Sequence, residues 1–145
     1  MKPFNLQRFI EAQDQVYEIA LEELRAGDKR SHWMWYIFPQ IKGLGRSAIS
    51  QKFAIDCLEE AKSYLAHTIL GSRLVECTQI VIDLENRTVE QIFSYPDHLK
   101  FRSSMTLFEQ AADDQGIFRL ALLKYFEGQP DAQTLEILRA RPEGS

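Results

Sequence analysis

Leu74-Val75-Glu76-Cys77-Thr78-Gln79-Ile80-Val81-Ile82 is the stretch whose reading decides the fold class. Its end, Ile80-Val81-Ile82, is the best strand candidate in the chain. The run is too short to force a sheet, and Val81 is in phase with Leu70, Leu74, Cys77 and Thr78 on one helical face. A helix ending near Glu85-Asn86 is the expectation.

The same periodicity extends outward in both directions. Towards the N-terminus, Leu58, Ala61 and Leu65 mark a helix over about Asp56–His67. Tyr17, Ala20, Leu21 and Leu24 mark one that stops at Gly27, with Asp14 as its cap. Asn5 is read as the cap of a separate short helix through Gln13. Towards the C-terminus, Thr88 caps a short helix through Phe93, and Ser94-Tyr95-Pro96-Asp97 turns into the next. Phe101, Met105, Phe108 and Ala112 stripe that helix, and Phe118, Ala121, Leu122 and Tyr125 stripe its successor. Gly128-Gln129-Pro130-Asp131 precedes a last helix over Ala132–Arg141, leaving residues 141–145 as a mobile tail. The prediction is all-α: a single compact multi-helical domain over residues 1–145, with about seven to eight helices and no significant sheet.

The 145 residues suffice for one domain with a sizeable core, and 45% hydrophobic with 26% charged residues match a soluble globular chain. No apolar run approaches a membrane span and no signal segment opens the chain, so a cytoplasmic protein is expected. Cys57 and Cys77 lie in apolar helical patterns and read as reduced core thiols. His67 and His98 have no partners at ligand spacing, so neither a metal nor any other cofactor is predicted.

A net charge of −4 argues against a general nucleic-acid binder. Its distribution is uneven. Residues 29–55 carry five basic residues and no acid, and residues 98–108 add Lys100 and Arg102 against none, leaving −11 on the rest. This segregation reads either as a solvated face or as an anion site.

Three segments carry the candidate chemistry. Lys29-Arg30-Ser31-His32-Trp33-Met34-Trp35-Tyr36-Ile37-Phe38-Pro39-Gln40 holds both tryptophans beside cations and hydroxyls, a mixture suited to a ligand pocket. Trp33 and Trp35 are two residues apart and cannot share a helix face, so one is core and the other pocket. Tyr36 and Phe38 read as core. His32 is the candidate general base or hydrogen-bond donor, with a purely structural histidine as the alternative. Lys29, Ser31 and Gln40 complete the ligand-binding candidates here.

Gly43-Leu44-Gly45-Arg46-Ser47 is a loop into a helix whose free N–H groups could meet an anion, with Gly43, Gly45, Arg46 and Ser47 as the candidates. An ordinary helix-entry loop fits the same residues, and neither a Walker loop nor a Rossmann turn is present. In Lys100-Phe101-Arg102-Ser103-Ser104-Met105-Thr106, helical spacing places Lys100, Ser103, Ser104 and Leu107 on one stripe. Lys100 and Thr106 are read as ligand-binding, and Ser103 and Ser104 as catalytic partners of His32. A plain polar helix face is the alternative.

With Phe9-Ile10-Glu11-Ala12-Gln13, Tyr17, Tyr64-Leu65-Ala66-His67 and Leu70-Gly71-Ser72-Arg73-Leu74, these segments make nearly the whole chain resemble domain-of-unknown-function family 1810. The resemblance implies an all-helical single domain and no established activity. Some members are labelled calpastatin, a disordered and repetitive inhibitor. This chain is apolar-rich, aromatic and unrepetitive, so the label is not carried over.

The functional expectation is a pocket for an anionic small molecule with a planar ring, such as a nucleotide, an ADP-ribose-like compound or a phosphorylated metabolite. Metal-independent hydrolysis or group transfer is the chemistry if bonds are broken. The alternative is a non-catalytic module that docks an acidic protein partner.

Overall fold

Ile80-Val81-Ile82 is helical in the computed structural model, which describes residues 4–114 and 116–140. Nine helices occur among the described residues: α1 (Gln7–Ala26), α2 (Met34–Ile37), α3 (Ala48–Lys52), α4 (Leu58–Ala66), α5 (Thr68–Asp83), α6 (Val89–Phe93), α7 (Asp97–Ala111), α8 (Gly116–Phe126) and α9 (Ala132–Ala140). The fold is all-α. The one β-type pairing among these residues is an isolated parallel bridge between Ile41 and Ile55. The expected tail, 141–145, lies outside the described residues.

Two local expectations need correction. The helices predicted on either side of Asp14 are one continuous helix, α1. Asp14 does not cap, because its carboxylate lies 2.9 Å from the Arg73 guanidinium on α5. Phe9, Gln13, Ala20, Leu21 and Leu24 form the buried face of α1 across the supposed break. At its end, Gly27 takes a left-handed φ of 69°, and its N–H closes the last turn on Leu24 O. The second correction is the helix number: the aromatic segment contains a short helix, α2, that periodicity did not reveal.

Elsewhere the expected signals act as read. Thr88 and Gln91 form a reciprocal capping box at the start of α6. A cis Tyr95–Pro96 peptide turns the chain into α7.

Helix α7 is the centre of the molecule and packs against α4, α6, α8 and α9. Phe101 and every residue from Ser103 through Glu109 are buried. Two aromatic chains radiate from it. Phe108 packs on Tyr64 and Phe118, and Tyr64 meets Phe9 edge-on at 5.2 Å between ring centroids. Phe101 meets Phe38 edge-on at 5.0 Å and stacks on Phe93 at 4.7 Å. Rings of this size bury roughly 150–250 Å² each, so these chains contribute much of the core's apolar burial.

The excursion from Lys42 to Ala54 is pinned at both ends. Ile55 N–H donates to Gln40 O and Lys42 N–H to Ile55 O, each at 2.8 Å. Arg8 on α1 reinforces the returning chain by donating to Lys52 O and Ala54 O while pairing with Glu60 at 3.0 Å. This fixes the loop 43–47 against the rest of the fold.

Candidate functional site

Helix α2 and the flanking chain sort the aromatic segment by direction. Trp33 is fully buried and packs against Phe38, whereas Trp35 is half-buried and faces outward. Trp33 is the core tryptophan, which corrects its reading as a ligand-binding residue. Its indole N–H donates to Glu23 Oε1 at 2.9 Å.

Trp35 lines a groove of about 370 Å³ together with Gln40, Gly45, Arg46, Ser47, Lys100 and Ser103. Seven sequence-predicted residues, drawn from three separate segments, thus share one concavity. Lys100 Nζ lies 4.8 Å from the Trp35 ring centroid, placing an ammonium against the indole. Lys100 also pairs with Asp97 at 3.2 Å, and Lys29 reaches the other oxygen of the same carboxylate at 2.8 Å. One carboxylate therefore serves two ammonium groups and leaves a net positive charge beside the indole.

Arg46 differs from these lysines. Its backbone carbonyl accepts from Gln51, but among the described residues its guanidinium has no hydrogen-bond or ion-pair partner. The Gln40 side-chain amide is likewise unengaged, while its carbonyl holds the Ile55 N–H.

Several predicted residues do not reach this groove. His32 is exposed in a separate groove of about 720 Å³, beside Arg8, Tyr36 and Lys52. It precedes α2 and faces α1, so it cannot act as a base for Ser103 or Ser104. Ser104 is fully buried, and its hydroxyl has no hydrogen-bond partner among the described residues. The stripe that grouped it with Lys100 assumed a solvated face, which α7 lacks at that height. Leu107 is buried for the same reason.

Thr106 is also interior. Its hydroxyl donates to Arg102 O at 2.8 Å and accepts from Asp131 N–H at 2.8 Å, anchoring the start of α9. Ser31 spends its hydroxyl on Glu23 at 2.6 Å, and the Lys29 side chain is only 6% exposed against Asp97. None of these is free for a ligand.

The glycine loop acts structurally more than as an anion cradle. Helix α3 is a single turn, and its entry is already capped by Ser47, whose hydroxyl accepts from Ser50 N–H at 3.2 Å. A Cβ on Gly45 would lie 2.5 Å from Ser50 Oγ, so glycine permits that cap. Gly43 lines an adjoining groove, not the first one.

The acid-free character of residues 29–55 does not survive folding. Asp28 pairs with Arg30 at 2.9 Å, Asp97 with Lys29, and Asp56 approaches Lys42 at 3.9 Å. Acids from elsewhere in the chain compensate three of the five cations; Arg46 and Lys52 have no ion pair among the described residues, and of these two only Arg46 lines the Trp35 groove.

The groove also contains residues that sequence reasoning missed, namely Leu44, Ser50, Pro96, Leu99, Asp131 and Gln133. Asp131 caps α9, its Oδ2 accepting from Thr134 N–H at 2.9 Å and Thr134 Oγ1 at 2.6 Å. The punctuation at Gly128–Asp131 signalled a cap. Nothing in it signalled proximity to Lys100. Ser103 reaches the groove, but its hydroxyl donates to Leu99 O at 3.1 Å and is hydrogen-bonded to no histidine or carboxylate among the described residues.

No cluster of histidine, cysteine or carboxylate side chains suited to a metal ion occurs among the described residues. No helix among them is long and apolar enough to cross a membrane.

Comparison with curated proteins returns no match. Among solved structures, the chain is similar to the conserved hypothetical protein Rv1873 from Mycobacterium tuberculosis, with a TM-score of 0.93 and 49% identity over 95% of this chain and 99% of that one. Residues 3–138 match the family described as protein of unknown function DUF1810, and the chain belongs to that family.

Proposed function

We propose that the Trp35–Arg46–Lys100 groove binds an anionic small molecule carrying a planar ring, with a nucleotide or phosphorylated metabolite as the chemical class. The observation that carries this reading is the Arg46 guanidinium, without a partner among the described residues, lining the same concavity as an indole with an ammonium on its ring. A guanidinium presents donors in a fork that matches phosphate or carboxylate oxygens. Trp35 supplies ring surface for stacking, worth about 1–3 kcal/mol per nucleobase in comparable sites. Gln40 adds an uncommitted amide for orientation. The residues at hand suit binding. For bond breaking, a carboxylate that lines the groove is Asp131, whose Oδ2 already holds the Thr134 N–H and hydroxyl.

The test is a thermal-shift and tryptophan-fluorescence titration with nucleoside phosphates, sugar phosphates and dicarboxylates. A ligand at about 100 times its dissociation constant stabilises the native state by about 2.7 kcal/mol. Arg46→Ala should abolish the response while leaving the unliganded stability unchanged. Absence of both a melting shift and a fluorescence change with every anion would sink the reading.

A second reading is a docking face for an acidic protein segment. Its specific support is Tyr95, 79% exposed, and Leu99, 43% exposed, beside the same groove. An acidic peptide that shifts the melting temperature where nucleotides do not would favour it.

A further inference from the structure

The groove does not end at Arg46. A second groove, also of about 370 Å³, adjoins it, and Leu44, Arg46 and Gln133 line both. Its far wall is one face of α9: Gln133, Glu136, Ile137 and Ala140 follow the i, i+3, i+4, i+7 spacing. The Arg46 guanidinium, without a partner among the described residues, therefore sits at the junction of two concavities of unlike character. On one side are the Trp35 indole and Lys100. On the other are the Glu136 carboxylate, the Gln133 amide and an apolar floor at Leu44 and Ile137.

This order of groups fits a ligand whose charge lies in its middle. Arg46 has five N–H donors in one plane, enough to hold oxygens of two bridged phosphates at once. A carboxylate in the second groove repels a terminal phosphate but accepts hydrogen bonds from sugar hydroxyls. Leu44 and Ile137 suit the apolar face of a sugar ring. Each lobe falls within the size range of small-molecule sites.

From this juxtaposition we infer that the ligand class is a nucleoside diphosphate sugar. The base lies against Trp35, the diphosphate at Arg46, and the second sugar along the Gln133–Ala140 face of α9. The inference rests on the reading of the Trp35 groove given above and extends it to the part of the ligand beyond the anion.

Isothermal titration calorimetry on the full chain separates the two. The probes are ADP, ADP-ribose, ADP-glucose and UDP-glucose, against the wild type and the variants Glu136→Ala and Ala140→Trp. Glu136 and Ala140 are both exposed, so neither change threatens the fold. The expected result is at least one diphosphate sugar binding about tenfold tighter than ADP, a difference within the reach of one or two added hydrogen bonds. Glu136→Ala should erase that difference and leave ADP binding intact, and Ala140→Trp should do the same by filling the second groove.

If ADP binds and no sugar adds affinity, the inference fails while the Trp35 reading stands. It fails in the same way if Glu136→Ala weakens ADP and the sugars equally. If none of the probes binds, the inference falls, and the wider anion screen above decides the Trp35 reading.

Discussion

Glu23 and Trp33 are locked together: the indole N–H donates to Glu23 Oε1 at 2.9 Å, and the same carboxylate receives the Ser31 hydroxyl and the N–H groups of Ser31 and Arg30. One side chain on α1 thereby shapes the whole entry to α2. It is also the reason Trp33, alone of the two tryptophans, can bury its polar nitrogen without loss.

Burial of the Glu23 carboxyl opposes its charge and is the largest single influence on it. The hydrogen bonds from Ser31, Arg30 and Trp33 together outweigh that effect and bring its pKa down to about 2. An ordinary glutamate titrates near 4.3. Because the native pKa is the lower of the two, this carboxylate stabilises the fold fully above about pH 4.3, and the contribution disappears as pH falls through about 2. Denaturant midpoints across that window should drop more steeply for the wild type than for Glu23→Gln. At pH 7 the variant should be less stable by about 1–3 kcal/mol. Parallel curves for the two proteins would remove Glu23 from the account.

The tryptophans divide by role, and their fluorescence should divide the same way. Trp35→Phe is expected to abolish most acrylamide quenching and change stability by about 1 kcal/mol or less. Trp33→Ala should cost about 3–5 kcal/mol, since the ring is wholly interior. Stern–Volmer slopes and chemical denaturation measure the two effects.

Ser104→Ala is a test of the buried hydroxyl. The Ser104 Oγ is shielded and has no partner among the described residues, as is true of Thr78 Oγ1. Removing an unsatisfied polar atom of this kind should be neutral or stabilising by up to about 1 kcal/mol, and Thr78→Val should behave alike. The response to nucleotides proposed for the Trp35 groove should be the same in Ser104→Ala as in the wild type. A serine that reacted with substrate would show the opposite pattern, with stability unchanged and activity lost.

Thiol labelling should distinguish the cysteines. Burial pushes the Cys77 thiol up to about 12, whereas Cys57 is only half-buried. At pH 8 the folded protein should react rapidly at Cys57 and leave Cys77 untouched until denaturant is added. Mass spectrometry after timed alkylation gives the count.

The fold was largely legible because core helices leave a periodic trace. Leu70, Leu74, Cys77 and Val81 report one face of α5 without reference to anything outside it. Where reading failed, the deciding partner was distant in sequence. Asp14 looks like a cap until Arg73 takes its carboxylate, 59 residues away. Ser104 and Thr106 look like a solvated face until α4, α8 and α9 close around α7. The candidate groove was legible in composition but not in membership. Trp35, Arg46 and Lys100 were named from the sequence and do meet, while His32 went with them only by adjacency. Glu136 and Gln133 carry no local signal, since nothing in an amphipathic terminal helix reveals which loop it will face.

The contrast between α7 and α9 has a consequence for amide exchange. Enclosed from Ser103 through Glu109, α7 offers solvent no route to its N–H groups short of opening the molecule as a whole. Deuterium uptake there should report the global unfolding free energy. Helix α9 fully buries only Thr134, rests Ile137 and Leu138 partly against the core, and is moored through Asp131 and Thr106, so its amides can exchange by detaching one helix. The slowest and among the fastest helical protons of the chain are therefore neighbours, joined across the single hydroxyl of Thr106.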